Sequence, residues 1–222
     1  MRSHNPFMNR QTNYEQNYFD NIYSGHYYAH NPLYKIVYYL KAIRTLKPHG
    51  RLLDIGCAFG LFLEHARVYY ECEGCDVSTY AISVARKRLP DVPFSVSDIL
   101  SLSLESHYDI ICCFDVLEHI PNLDAAAMKI RNLLNDGGFL VLVVPVYDTL
   151  VGQLVSLLDK DPTHIHKESR DFWLRKLTDW GFAIKEFHGI FRYSVAGRFY
   201  IHFGHPYLRR FSPAILLASQ KD

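Results

Sequence analysis

The glycine-containing segment that follows the first strongly apolar run has the composition of a ligand-binding loop. Residues 52–60 read Leu-Leu-Asp-Ile-Gly-Cys-Ala-Phe-Gly, with Asp54 inside the run and glycines at positions 56 and 60. Glycine permits a tight turn and a close approach of a ligand to the backbone. A helix that begins behind such a turn offers free N–H groups and a partial positive charge. The segment therefore predicts a binding loop between a strand and a helix.

Two further acidic residues end apolar runs later in the chain. Asp76 lies 22 residues after Asp54, where a carboxylate can accept from both hydroxyls of a ribose. Asp98 ends the third apolar run, where it can accept from an adenine amino group. Asp54 itself suits an ammonium group and would repel a diphosphate. A ligand with an amino-acid end, a ribose and an adenine fits this order of sites, and S-adenosylmethionine is such a ligand.

A nicotinamide-dependent oxidoreductase is the first competing interpretation of this loop. The glycines are spaced G-x-x-x-G, whereas the pyrophosphate fingerprint of dinucleotide-binding proteins is G-x-G-x-x-G. The spacing therefore favours S-adenosylmethionine over a dinucleotide.

Histidines in two segments are candidates for proton transfer. Methyl transfer from a sulfonium is an in-line displacement, and a histidine near neutral pH can remove the acceptor's proton. His164 lies in Asp-Pro-Thr-His-Ile-His, residues 161–166, and is predicted to act as the general base or to orient the acceptor. His166 is a weaker candidate. The alternative is that His164 caps a helix or bonds the backbone of a loop.

The second histidine segment, Asp-Val-Leu-Glu-His at 115–119, ends with His119. His119 is a third catalytic candidate, although hydrogen bonds at a helix start are the favoured interpretation of Glu118 and His119. No metal site is predicted. The pair Cys72-x-x-Cys75 is dismissed as a zinc or redox site, because alternate strand residues face opposite ways and no second pair exists.

Short apolar runs alternate with stretches of helical spacing, and this alternation positions the candidate residues. The predicted strands are 51–55, a strand within 69–77, 94–99, 108–115 and 139–145. The predicted helices between them are 60–68, 78–89 (capped by Ser78) and 123–134 (after Asn122), with a turn at 136–138. Wholly apolar strands between helices predict a parallel sheet covered on both faces. Residues 182–190 and 213–219 are two further predicted strands, and the last is expected to run antiparallel.

Three further segments are predicted to be helical, whereas 191–212 is expected to be a long connection between the last two strands. Residues 148–180 are expected to be mostly helix, with Phe172, Trp173 and Trp180 in the core rather than in a pocket. A short helix is predicted over 14–28 and an amphipathic one over 32–46, after Asn31 and Pro32.

Aromatic residues crowd the N-terminal region. They are Tyr14, Tyr18, Phe19, Tyr23, Tyr27 and Tyr28. Aromatic faces stabilise a sulfonium by cation–π attraction, so these residues are predicted to form a lid over the cofactor and the acceptor. The alternative is a stripe that packs on the domain without a part in binding.

The charge balance excludes several classes of partner. With 24 Lys and Arg against 23 Asp and Glu, the chain has no broad field for nucleic acid or an anionic membrane. No apolar stretch approaches the roughly 20 residues that span a bilayer. Five irregularly spaced cysteines argue against a disulfide framework, so a cytoplasmic protein is expected. The oligomeric state is not predicted.

Five segments together resemble the successive motifs of class I S-adenosylmethionine-dependent methyltransferases. They are 52–60, 73–78, 96–99, 108–121 and 133–145. The resemblance covers roughly residues 30–190 and is closest to the branch of the ubiquinone-biosynthesis O-methyltransferases. Ala58 stands where the family's D-x-G-x-G-x-G loop has its middle glycine.

The resemblance implies a Rossmann-like, doubly wound, mostly parallel sheet of seven strands with an antiparallel last strand. It implies a methyltransferase domain over 31–222, and the aromatic residues predict that 1–30 form a helical lid on it. Segments 148–180 and 191–212 are then substrate-side insertions.

The family's functional residues can be carried over to matching positions. Gly56, Cys57 and Gly60 would line the methionine portion, and Asp76 would hold the ribose. Asp98 and the backbone of Ile99 would bind adenine, and the carbonyl of Phe114 would accept from the ammonium. The remaining members of the predicted cofactor set are Asp54, Ala58 and Val77.

The resemblance also bears on the two histidine segments. Many relatives carry a D-P-T-H segment like residues 161–164. A D/E-x-x-E-H cluster like 115–119 is associated with a divalent cation in the ubiquinone-type enzymes, whereas V-L-E-H occurs widely in members without a metal.

The function predicted from the sequence is methyl transfer from S-adenosylmethionine to a small-molecule acceptor, with a hydroxyl slightly favoured over nitrogen. A non-catalytic S-adenosylmethionine-binding protein and a peptide- or protein-directed methyltransferase are the alternatives within this family.

Overall fold

A computed structural model describes residues 14–23, 26–104, 107–150, 152–153, 161, 163–195 and 199–222. The strands are β1 (Gly50–Ile55), β2 (Tyr70–Asp76), β3 (Phe94–Val96), β4 (Tyr108–Phe114), β5 (Leu134–Pro145), β6 (Phe182–Val195), β7 (Phe199–His205) and β8 (Ala214–Lys221). The α-helices are α1 (Gln16–Ile22), α2 (Tyr27–His30), α3 (Leu33–Leu46), α4 (Leu61–Ala66), α5 (Thr79–Arg88), α6 (Leu123–Leu133) and α7 (Arg170–Asp179). Two 3₁₀ turns lie at Leu117–His119 and Pro206–Leu208.

The strands form one sheet in the order β3-β2-β1-β4-β5-β8-β6-β7. Strands β1 to β5 pair in parallel, and β8 lies antiparallel between β5 and β6. The doubly wound, mostly parallel sheet with an antiparallel last strand is therefore confirmed. The reversal of strand order at β1 and β4 opens a crevice at the carboxyl ends of these strands.

The predicted number of seven strands is wrong, because an eighth strand lies at the edge of the sheet. Strand β6 continues to Val195, and β7 returns antiparallel to it within the predicted insertion 191–212. Its residues alternate between buried and exposed sides, as a strand requires: His202 is buried while Ile201 and Phe203 are about half exposed. The rings of Phe191 and Phe203 stack across the pair at 5.5 Å.

Several predicted boundaries also differ from the structure. Of the segment 148–180, only α7 and the residues 150 and 152–153 are helical among those described, and 154–160 lie outside the described residues. The predicted helix 14–28 is two short helices, α1 and α2. Strand β3 ends two residues before Asp98, and β5 begins at Leu134, so the predicted turn at 136–138 lies within a strand.

Helices cover both faces of the sheet and bury two apolar layers. Helices α3, α4 and α5 pack on one face, where Ile43 and Leu63 are almost completely buried. Helices α6 and α7 pack on the other, and Trp173 there is 0% exposed. The predicted core position of both tryptophans is confirmed, since Trp180 is also buried.

Capping side chains fix where two of these helices begin. The hydroxyl of Ser78 accepts from the N–H of Ala81 at 3.0 Å, and the amide oxygen of Asn122 accepts from the N–H of Ala125 at 3.0 Å. Each cap satisfies a backbone N–H that the first helical turn leaves without a partner. Ser78 thereby fixes the start of α5 directly after β2.

None of the helices described here is both long and apolar enough to cross a bilayer.

Candidate active site

A cavity of about 410 Å³ lies at the carboxyl ends of β1, β2 and β4. Its floor comes from the strand ends, and the N-terminal helices contribute the opposite wall. The predicted site residues that line it are Asp54, Gly56, Cys57, Ala58, Asp76, Val77, Asp98, Ile99, Phe114 and His119. Gly60, His164 and His166 are not among the lining residues.

The loop after β1 has the backbone conformation that its glycines allow. Gly56 and Gly60 have φ values of +75° and +74°. A side chain at position 56 would also collide with Val116, since an added Cβ would lie 2.4 Å from its Cγ2. Ala58 is left-handed as well, with φ 45°, and its N–H donates to Asp76 at 2.9 Å. Gly60 precedes the first turn of α4, so it shapes the loop from outside the cavity wall.

Asp76 is fixed by backbone donors on both of its carboxylate oxygens. Oδ2 accepts from the N–H of Ala58 and Oδ1 from the N–H of Ser78, each at 2.9 Å. A carboxylate oxygen can accept two bonds, so each oxygen retains capacity for a ligand hydroxyl. Burial raises the pKa of Asp76.

Two further carboxyl groups, both of them buried, line the same cavity. Asp54 is 3% exposed, and burial, reinforced by Asp76, raises its pKa well above the ordinary value. Asp98 is 4% exposed, and its Oδ1 accepts from the N–H of Leu100 at 2.9 Å. Together with the partly buried Asp76, these two buried carboxyl groups make this end of the cavity suitable for a cationic ligand or for hydroxyl and amino donors.

Two cations were missed by the sequence reasoning, one that lines the cavity and one that pairs with a residue of its lining. Lys35 on α3 lines the cavity and donates to the side-chain oxygen of Asn31 at 3.1 Å. Burial lowers the pKa of Lys35 to about 8. Arg192 on β6 forms an ion pair with Asp115 at 2.5 Å. The signal for Lys35 was its position directly before the buried Ile36, whereas Arg192 needed the extension of β6.

The N-terminal segment, described over residues 14–23 and 26–30, supplies an aromatic wall to the cavity. This wall consists of Tyr14, Tyr18, Phe19, Tyr23 and Tyr27. Tyr28, which was predicted with them, is 54% exposed and does not line the cavity. Phe19 packs on Phe59 of the glycine loop with a centroid distance of 4.7 Å.

Polar contacts hold this segment on two sides of the cavity. The carboxylate of Glu15 accepts from the backbone N–H groups of Thr79 and Tyr80 at 3.1 and 3.0 Å, at the start of α5. The hydroxyl of Tyr18 donates to Asp161 at 2.8 Å. The segment is thus attached beside Asp76 and, on the far side, to the loop that follows β5.

Of the three predicted catalytic histidines, His119 is the one on the cavity wall. Its Nδ1 lies 3.0 Å from both the carbonyl oxygen and the hydroxyl of Thr163. Burial, together with His164, lowers the pKa of His119. The ring of His164 packs behind it at 4.7 Å, and Nε2 of His166 bonds the carbonyl of Ile120 at 2.9 Å.

The acidic cluster that the resemblance associates with a divalent cation is not assembled as a set. Asp115 pairs with Arg192. Glu118 is fully buried and, among the described residues, its carboxylate oxygens have no hydrogen-bond partner. Glu118, His119 and His164 do present ligand atoms within 4.8 Å of one another. A single carboxylate with two imidazoles does not match the oxygen-rich shell that Mg²⁺ requires.

Comparison with known proteins identifies the family. Residues 25–186, more than half of the chain, match the family model described as a methyltransferase domain. The chain belongs to the class I methyltransferase family. Similar relatives include the ubiquinone biosynthesis O-methyltransferases of Alkalilimnicola ehrlichii and of Xanthomonas campestris. The first is 33% identical over 98 residues, which are 41% of this chain and 40% of the relative. The second is 32% identical over 108 residues, which are 46% of this chain and 45% of the relative. The matches thus span less than half the length of either methyltransferase.

Solved methyltransferase structures share the fold. A SAM-dependent methyltransferase of Thermotoga maritima has a TM-score of 0.66 at 16% identity and covers 98% of this chain and 99% of its own. The N-methyltransferase NodS of Bradyrhizobium japonicum, in complex with S-adenosyl-L-homocysteine, has a TM-score of 0.65 at 16% identity, with 92% and 97% covered. At these identities the likeness concerns the class I methyltransferase fold alone.

Proposed function

We propose that this methyltransferase-family protein transfers the methyl group of S-adenosylmethionine to a hydroxyl oxygen of a small-molecule acceptor. The observation that carries the proposal is the cavity itself, with three carboxyl groups at the strand ends facing an aromatic wall. S-adenosylmethionine has the cationic centre, the ribose and the adenine that such a cavity can bind.

The lining residues support one assignment of the cofactor. Asp54 and the carbonyl of Phe114 bind the ammonium, and Lys35 neutralises the carboxylate. Asp76 accepts from the ribose hydroxyls, while Asp98 and the backbone of Ile99 bind adenine. The backbone of Gly56, Cys57 and Ala58 passes along the methionine portion, Gly60 sets the turn behind it, and Val77 contacts the nucleoside. The aromatic wall faces the sulfonium and excludes water, which strengthens the attraction between the rings and the charge.

The chemical step then needs little besides alignment and a proton acceptor. As the acceptor's hydroxyl loses its proton to Nε2 of His119, an oxygen lone pair attacks the methyl carbon. The carbon–sulfur bond breaks with its electrons on sulfur, and S-adenosylhomocysteine results. We favour His119 over His164 and His166 because it lines the cavity, whereas His166 bonds a backbone carbonyl.

Two observations favour a small hydroxyl-bearing acceptor. The aromatic wall, attached through Tyr18 to Asp161, borders a cavity of about 410 Å³, a volume in the range of small-molecule sites. The two relatives described above, at 33% and 32% identity, are named O-methyltransferases. Several expectations stay predictions: the cytoplasmic location, the absence of a nucleic-acid partner, and the substrate-side insertions 148–180 and 191–212. The lid also stays a prediction, and its residues 1–13 lie outside the described residues.

A labelling experiment separates this function from its rivals. The protein is incubated with S-adenosylmethionine labelled in the methyl group and with a cell extract divided into an ultrafiltrate and a protein fraction. We expect label in compounds of the ultrafiltrate, and we expect His119→Ala to lose the transfer while it still binds S-adenosylhomocysteine. Label in the protein fraction would favour a protein-directed enzyme. Cofactor binding without transfer to either fraction would leave a non-catalytic binding protein, and binding of NAD in its place would exclude the family chemistry.

A further inference from the structure

Four side chains form one hydrogen-bonded chain between the aromatic wall and the candidate base. The Tyr18 hydroxyl donates to Oδ2 of Asp161 at 2.8 Å. Thr163 donates through its hydroxyl to Oδ1 of the same carboxylate at 2.5 Å, and its backbone N–H donates there too at 2.9 Å. Nδ1 of His119 then lies 3.0 Å from Thr163. Asp161 is 9% exposed, so these bonds form away from bulk water.

The partners in this chain determine which nitrogen of His119 carries the proton. The Thr163 hydroxyl has one proton, and it is committed to Asp161. The carbonyl of Thr163, also 3.0 Å from Nδ1, can only accept. Nδ1 must therefore be the donor, which leaves Nε2 with the free lone pair of a base. The arrangement has the logic of a carboxylate that orients a histidine, here through an intervening threonine.

The chain begins on the N-terminal segment rather than on the sheet. Tyr18 is 143 residues from Asp161 in sequence, and it lies on the same short helix as Phe19, which packs on the glycine loop. Seating this helix over the cavity and completing the bond to Asp161 are therefore one event. Asp161 accepts from the hydroxyls of Tyr18 and Thr163 and from the N–H of Thr163, and the bond from Tyr18 comes from outside the loop.

We propose that Tyr18 is a positioning residue for His119. By holding Asp161 it keeps Thr163 in place, and Thr163 in turn keeps His119 in the Nδ1–H tautomer whose Nε2 takes the acceptor's proton. The base is then correctly oriented only when the N-terminal segment covers the cofactor. This inference rests on the proposed function.

Ring-nitrogen NMR tests the proposal without knowledge of the acceptor. Long-range ¹H–¹⁵N correlation spectra are recorded with S-adenosylhomocysteine bound and with EDTA present, so that no metal ion affects the imidazole. The His119 signal is assigned from its loss in His119→Gln. In the unchanged protein we expect a protonated Nδ1 and an unprotonated Nε2. In Tyr18→Phe, which keeps the ring and removes only the hydroxyl, the ratio of Nδ1–H to Nε2–H tautomers should fall roughly fivefold.

Two further variants separate positioning from a general loosening of the site. Tyr28→Phe removes a hydroxyl from the same segment, one that bonds Arg88 outside the cavity at 3.1 Å, and should leave the His119 spectrum unchanged. Because Tyr18 acts through Asp161, Tyr18→Phe added to Asp161→Asn should change the tautomer ratio no further than Asp161→Asn alone.

The outcomes are distinct. An unchanged His119 spectrum in Tyr18→Phe, or additive effects in the double variant, overturns the role of Tyr18 while the methyltransferase proposal stands. Failure of the unchanged protein to bind S-adenosylhomocysteine in calorimetry overturns the proposed function itself.

Discussion

Replacement of Asp76 by alanine should weaken the binding of S-adenosylhomocysteine by about 2–3 kcal/mol, or roughly 30- to 160-fold. The carboxylate is fixed by the N–H groups of Ala58 and Ser78, one on each oxygen. Each oxygen keeps a lone pair for one ribose hydroxyl, and a hydrogen bond to a charged group contributes about 1.5–3 kcal/mol. The expected loss is smaller than two such bonds, because water can enter the space that alanine leaves.

Isothermal titration calorimetry with S-adenosylhomocysteine measures this loss. Glu71→Gln is the matched control, since it neutralises a carboxylate on the same strand whose side chain is 74% exposed. The affinity of Asp76→Asn should lie between those of Asp76→Ala and Glu71→Gln, because the amide keeps one acceptor oxygen but presents a donor to a backbone N–H.

Urea unfolding of each Asp76 variant shows whether the glycine loop and the rest of the domain remain folded. A folded Asp76→Ala protein whose affinity stays within about threefold of the unchanged protein would refute the assignment of Asp76 to the ribose.

Three further outcomes are expected. Binding of the cofactor's ammonium should lower the raised pKa of Asp54 and release a proton, so the heat of binding should depend on the ionisation enthalpy of the buffer. Asp54→Asn should remove that dependence. An unaltered dependence in this variant would contradict the placement of the ammonium beside Asp54. Burial lowers the pKa of His202 to about 3, so its neutral form stabilises the fold above about pH 6.5, and this contribution is lost as pH falls towards 3. From about pH 7.5 to pH 5, urea unfolding should therefore show a loss about 2 kcal/mol smaller in His202→Gln than in the unchanged protein, and equal losses would refute it. Gly56→Ala should destabilise the fold by about 1–3 kcal/mol more than Gly137→Ala. Gly137 has a similar φ of +70°, but an added Cβ there would reach only the flexible side chain of Gln220. Equal losses of stability in urea unfolding would mean that the collision with Val116 is relieved.

The carboxyl-terminal ends of the central strands could be predicted from the sequence, because local patterns determine them. Apolar runs fixed the strands, and the carboxyl end of a parallel strand is where ligands bind. Asp54, Asp76 and Asp98 consequently line one cavity although they are far apart in sequence. The cap of α5 by Ser78 was equally local, since it depends on the residues of a single helical turn.

The two cations could not be predicted in the same way. Arg192 reaches Asp115 only because β6 continues past residue 190, and β7 pairs with that extension. The hairpin's alternation is interrupted by glycine and histidine, which weakens the strand signal. Lys35 was overlooked because a lysine on an amphipathic helix usually faces solvent.

The choice among the three histidines also depended on tertiary contacts. The sequence ranked His164, within Asp-Pro-Thr-His, ahead of His119, for which a structural role was favoured. The structure reverses that order, because His119 lines the cavity and His164 does not. The hydrogen bond between Tyr18 and Asp161, across 143 residues, fixes the loop that places one ring on the wall and the other behind it.

The antiparallel course of β8 has a practical consequence for handling the protein. The strand starts beside Pro145 at the cavity end of β5 and runs back, with Gln220 opposite Phe139. Asp222, whose N–H donates to the carbonyl of Gly181, therefore lies at the far rim of the sheet. A fluorescent reporter or a sensor-chip tether attached at this rim would leave the mouth of the cavity open to ligands.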